Sequence, residues 1–179
     1  VKQERLLQTG DRGAKYWWQF LRLRGELYRT IKTLDMVLVV SRVSKYLICG
    51  HFKPSYIFAD QTFVLAYDKY DVFLIIQSNF HDCWAWKTCS TMGSGLRYTA
   101  SSAFQTFPFP ENITSEIEAA LSEIGKKYYD NRRDLMLKMQ LGLTKTYNQF
   151  HNKQLSIISD NLTENEIEKK YGKETLNLW

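Results

Sequence analysis

The sequence is short of the residues from which most active sites are built. Its three cysteines, Cys49, Cys83 and Cys89, form no C-x-x-C pair. An odd, dispersed set gives neither a disulfide framework nor a zinc-site spacing, and it points to a reducing compartment, here the cytoplasm. The three histidines, His51, His81 and His151, fall at no metal-ligand spacing. There is no G-x-G-x-x-G, no P-loop and no G-x-S-x-G, and the "GSG" at 93–95 reads only as a turn. The longest apolar runs, "MVLVV" and "VFLII", are far too short to span a bilayer, and no signal peptide is visible. The first residue is Val1, so the chain reads as a piece of something larger.

What is present is an ordinary globular composition with a basic tilt. The chain has 179 residues, of which 44% are hydrophobic, 24% charged and 15% aromatic, and its net charge is +5. That length supports one domain with a real core, or one domain with a helical appendage. The charge permits a polyanionic partner without requiring one.

Residues 1–14 read as a polar lead-in, followed by a short helix over Glu26–Ile31. "MVLVVSRVSKYLICGHF" is rich in β-branched residues with polar interruptions, which suits two short strands or one bulged strand. "YIFADQTFVLAYD" reads as a strand pair broken at Ala59-Asp60. Val72, Ile75, Ile76, Phe80 and Trp84 recur at helical spacing, with Asp68 or Asp71 as the cap.

Two of the three prolines stand in "TFPFP". A residue before proline is driven out of the helical region, so 106–110 is an extended strap anchored by Phe107 and Phe109. Beyond it, Ile113, Ile117, Leu121, Ile124 and Tyr128 step at helical period behind a Ser115–Glu118 capping box. Leu135, Met139, Leu143, Tyr147 and Phe150 continue the period, with Gly142 as a weak point. Ile117, Leu121, Ile124, Leu135 and Met139 are the expected packing face. "DNLTENEIEKKYG" adds one more short helix. The expected fold is mixed α/β (α+β): a strand-rich domain over 15–110 and a helical extension over 111–179.

No catalytic set emerges. His81 beside Cys83 is a conceivable base and thiol, but no surrounding motif supports the pair, and each is expected to be structural. Three clusters instead carry the side chains that hold phosphate or read base edges. They are Ser41, Arg42, Ser44 and Lys45 in "SRVSK"; Arg97, Tyr98 and Thr99 in "LRYT"; and Lys145, Tyr147 and Asn148 in "TKTYN". A binding module fits them best. A small stand-alone enzyme using His81 and Cys83, or a protein-interaction module, are the alternatives.

The strings "FLRLRGELY", "VLVVSRVSKYLICGHF", "QSNFHDCWAWKTCSTMGSGLRYTASSAFQTFPFP" and "LGLTKTYNQFHN" resemble, in this order, the C-terminal region of large bacterial adenine-specific DNA methyltransferases, including fused type II restriction–modification enzymes of the MmeI-like and Eco57I-like kinds. The resemblance covers roughly residues 15–152. It implies a module that recognises double-stranded DNA and presents it to an upstream methyltransferase domain, with S-adenosylmethionine bound there and not in this chain. The absence of an Asn-Pro-Pro-Tyr tetrapeptide, which such enzymes use on adenine, agrees with that division. Where the family often reads "YTPSDCFETFPFP", this chain has "YTASSAFQTFPFP", without the acidic residues and the proline. Residues shared by a family with many targets make poor base readers. Arg42, Lys45 and Arg97 are therefore expected on phosphate, and base readers in loops such as 51–61.

Overall fold

The computed structural model describes residues 2–7, 15–18 and 24–151. The expected helix in "DNLTENEIEKKYG" lies outside the described residues. Packing divides the chain into two compact units, Val1–Thr33 and Leu34–Trp179. The first contains helices α1 (Lys2–Leu6) and α2 (Gly25–Ile31), with Ile31 buried and Tyr16, Trp17 and Trp18 in edge-to-face contact. The lead-in thus includes a helical turn.

Among its described residues the second unit holds two small antiparallel sheets and four α-helices. Strand β1 (Val37–Ser41) lies between β3 (Cys49–Phe52) and β4 (Thr62–Leu65). As a central strand it is buried from Val37 to Val40, which is why it is a continuous aliphatic run and does not alternate. The second sheet runs β2 (Val43–Ser44), β6 (Gly95–Arg97), β5 (Ser90–Met92). Its β5–β6 hairpin turns at Gly93, where φ is +61°, a conformation that favours glycine. Only one strand forms in the 56–68 segment, because Lys53–Tyr56 and Ala59–Thr62 are tied into turns by Tyr56 N–H to Lys53 O and Thr62 N–H to Ala59 O.

The helical run after Asp68 is two helices, α3 (Tyr70–Gln77) and α4 (Asn79–Thr88). Ser78 separates them in extended conformation, and its hydroxyl accepts from the His81 N–H to cap α4. The break rotates Phe80 out to 83% exposure and away from the expected stripe. Neither aspartate caps α3: Lys69 occupies the N-cap without a side-chain bond, and Asp71 is buried in the first turn.

Helix α5 (Ser115–Met139) starts one residue earlier than the capping box implied, with the Thr114 hydroxyl accepting from Ile117 N–H. It ends at Gln140 in the left-handed region, and α6 (Leu143–Phe150) begins after Gly142. The packing face also differs from expectation. Ile117 and Ile124 are 49% and 55% exposed, while Gly125, Arg132 and Leu135 are buried. A β-carbon at Gly125 would lie 2.3 Å from Tyr70 O, so glycine here lets α5 approach the α3 backbone closely.

The core gathers Leu38, Val40, Cys49, Phe73, Ile76, Ala85, Leu96 and Tyr98, with Tyr128 and Tyr129 of α5 packed against it. The Pro strap follows a wide helical turn at Ala100–Phe104. Its Phe107 meets His81 edge-on at 4.6 Å and Phe109 at 5.1 Å, so the strap is pinned by its aromatics as expected.

Candidate nucleic-acid interface

Arg42 sits where the chain leaves one sheet and enters the other. Its N–H donates to Gln61 O at the edge of β4, while its carbonyl accepts from Tyr98 N–H beyond β6, each at 2.8 Å. The Arg42 backbone therefore bridges the two sheets. The guanidinium lies 4.3 Å above the Phe63 ring, a cation–π contact that sets its direction, and Nε is buried with no partner. Ser41 and Ser44 stabilise the same corner: Ser41 Oγ donates to Val43 O and Ser44 Oγ to Tyr46 O. One register step away, Arg97 on β6 faces Val43 and Ser90 and is exposed. Arg97 thus follows the corner along β6, next to Tyr98, whose N–H meets the Arg42 carbonyl.

A second group forms across a hundred residues of sequence. Lys45 Nζ and the Tyr46 hydroxyl both donate to Asn148 Oδ1, at 3.1 and 3.0 Å. Tyr46 stacks on His151 with centroids 4.6 Å apart and rings nearly parallel. These contacts join α6 to the β2–β3 loop beside a cleft of about 280 Å³ lined by Tyr46, Asp82, Trp86, Tyr128 and Phe150. Burial raises the Asp82 carboxyl above its ordinary range. Lys145 lies exposed on α6.

Three of the sequence candidates are occupied within the fold. Tyr98 is 1% exposed, with its hydroxyl 3.1 Å from His81 Nε2, and burial pushes its ionisation upward. Thr99 holds Cys89: its Oγ1 is 3.5 Å from Sγ and its N–H donates to the same sulfur. Tyr147 is buried and shares its hydroxyl with Tyr128 at 2.7 Å and with Arg132 Nη1 at 3.0 Å. Tyr98 leaves almost no surface for a ligand, whereas Tyr147 keeps a small face on the cleft.

The thiol–imidazole pair does not assemble. His81 is fully buried, and burial lowers its pKa to about 4, so it is neutral. Cys83 is exposed on the opposite side of α4. Among the described residues no three His, Cys, Asp or Glu side chains cluster as a metal site would need, and no helix is long and apolar enough to cross a membrane.

Two features escaped the sequence reading. Arg132 is buried and donates to Cys49 O at 2.9 Å, Gln77 Oε1 and the Tyr147 hydroxyl, with its cation near the rings of Phe73, Tyr128 and Tyr129. The spacing Leu121, Gly125, Tyr128, Arg132, Leu135 marks the true face of α5, but an arginine and a glycine hide it from an apolar count. The other is the apolar tip of the loop in which base readers were expected: Tyr56 and Ile57 there are 52% and 70% exposed.

The family described as the MmeI target recognition domain matches residues 1–111. No curated protein matches the sequence. A solved structure, described as the Type IIL restriction–modification enzyme MmeI in complex with DNA, is similar with a TM-score of 0.62 at 16% identity. The match covers 99% of this chain and 22% of that one, so the likeness is one of fold over a fraction of the larger protein.

Proposed function

Because the chain belongs to the family of MmeI target recognition domains, we propose that it recognises a sequence in double-stranded DNA and presents it to a catalytic domain of a larger restriction–modification or phage-defence protein. The observation that carries this reading is the corner at Arg42. Arg42 bridges the two sheets there through its backbone, exposed Arg97 follows it on β6, and the 53–61 loop, with side chains in solvent, is anchored at the same corner through Gln61. The similar MmeI structure was solved with DNA, which supports a nucleic-acid ligand for this chain.

The division of labour follows from the side chains. Arg42 and Arg97 neutralise phosphates, as does Lys45 from the neighbouring group, and they fix the register of the module on the duplex. Ser41, Ser44, Lys145 and Asn148 add polar contacts around them, and the 53–61 loop faces the bases. Tyr98 and Thr99 hold the shape of the corner from within. Adenine extrusion and N6 methylation, with S-adenosylmethionine, belong to an upstream domain of the parent, and cytoplasmic DNA is the substrate.

Titration of duplex DNA at increasing salt tests the reading. Affinity should fall with a log–log slope of about −0.9 per phosphate neutralised. Arg42→Ala, Lys45→Ala and Arg97→Ala should each reduce that slope by about one unit and weaken specific and random DNA alike. Binding that ignores salt would favour a protein partner and contradict the proposal.

A further inference from the structure

Resting on the DNA-recognition reading, we propose that Tyr56 and Ile57 form an apolar wedge that enters the base stack of the bound duplex and unstacks one step. The first observation is what stands at the apex of the loop. Ile57 is 70% exposed and Tyr56 52%, and Phe52 at the end of β3 continues the apolar surface, its ring 6.4 Å from that of Tyr56. Apolar side chains at an ordered tip lose free energy to water, so a partner that buries them is favoured.

The second observation is that the tip is held in shape before any partner arrives. Pro54 sits inside the Lys53–Tyr56 turn, which is closed by Tyr56 N–H to Lys53 O at 3.1 Å. The Ala59–Thr62 turn is closed twice, by the Thr62 N–H and by Thr62 Oγ1 at 2.7 Å from Ala59 O. Arg42 anchors the stem through Gln61 O and stacks on Phe63. A loop fixed at both ends loses little conformational freedom on binding, which is what a wedge requires.

The third observation is charge. Lys53 enters the loop and Arg42 lies at its root, whereas Asp60 near the tip disfavours a phosphate contact at the tip itself. Cations at the base and apolar groups at the apex match a duplex, with phosphates outside and stacked bases inside. Apolar wedges of this kind trade the cost of unstacking for a bent duplex that covers more protein surface. The bases at the kinked step are then selected by how readily they unstack, so the loop reads sequence without a hydrogen-bond donor at its apex.

The test uses the full 179-residue chain and duplexes recovered from a randomised pool, with 2-aminopurine placed at each position in turn. Wild-type chain should raise the fluorescence several-fold at one step. The Tyr56→Ala/Ile57→Ala double variant should abolish that rise while keeping its thermal midpoint and its salt slope, and Ile57→Met should restore it. Bound duplex with no bright position, or an undiminished rise with the double variant, would overturn the wedge. So would affinity that drops on replacing thymine by uracil without any fluorescence change, which would identify a methyl contact in the groove. If the wild-type chain binds no duplex at all, the underlying DNA reading fails and the wedge fails with it.

Discussion

Arg132 and Arg42 show two uses of one side chain. Arg132, on α5, is enclosed by Cys49 O, Gln77, Tyr147 and three aromatic rings, and it ties the β3 strand to the helices. Arg42, at the corner between the sheets, uses its backbone for that work. Its side chain lies over Phe63 with Nε left without a partner. One cation holds the fold through its guanidinium; the other is half-buried over a ring, its Nε unpaired, and joins the sheets through its backbone. The tyrosines divide in the same way, Tyr98 in the core and Tyr56 in solvent. Residue type therefore says little about function here, whereas the partner of each polar atom says a great deal.

The sharpest way to expose the interior half of this contrast is acid. His51 and His81 are both buried among rings, and burial lowers each to about 4 from its ordinary 6.5, the Arg132 charge adding to the effect at His51. The unfolded chain protonates them first, so stability is fully present above about pH 6.5 and is lost as pH falls through 6.5 towards 4. The loss should reach at most about 7 kcal/mol in total. Urea unfolding at pH 7 and pH 4.5 measures it, and equal midpoints would mean that the two rings are not buried neutral.

A direct break of the comparison is to remove the enclosed arginine and, separately, an exposed one. Arg132→Met leaves Cys49 O and the Tyr147–Gln77 group without their donor, and should cost about 3 kcal/mol. Arg97→Ala, at an exposed strand position, should stay within about 0.5 kcal/mol. Chemical denaturation of the two variants checks both numbers. Similar losses would erase the distinction between a cation that builds the fold and one that serves a ligand.

The glycines sharpen it further. Gly125→Ala gains about 1 kcal/mol of helix propensity but places a methyl 2.3 Å from Tyr70 O, a backbone atom that cannot move alone. The net effect should be a loss of about 2 kcal/mol as the α3–α5 seam opens. Gly142→Ala meets nothing within 4 Å and should change stability by less than about 0.5 kcal/mol. A neutral Gly125→Ala would mean the two helices are not in close contact.

Much of this architecture was legible in the sequence. The aliphatic run of β1, the Gly93 turn and the aromatic strap follow from local rules, and the order of strand-rich and helical parts follows from periodicity. The breaks did not. Ser78 divides a stretch whose apolar spacing reads as one helix, because a cap hydroxyl and an extended backbone outweigh the pattern. The face of α5 was misplaced because its seam contains Gly125 and Arg132, while Ile117 and Ile124 lie in solvent. The basic clusters were visible as composition, yet only the fold shows that Arg42 joins two sheets and that Lys45 meets Asn148. Tyr98 and Tyr147 resembled surface groups because a sequence does not show where a hydroxyl points.

In the proposed division of labour, Arg97 grips phosphate while other side chains choose the sequence. Selection from a randomised duplex pool by the wild-type chain and by Arg97→Ala, followed by affinity measurement, separates the two roles. One enriched motif is expected, the same for both proteins, with weaker binding by the variant to motif and random duplex alike. An unselective pool with the wild-type chain, or a motif that relaxes at a single base pair in Arg97→Ala while random binding is unchanged, would contradict it.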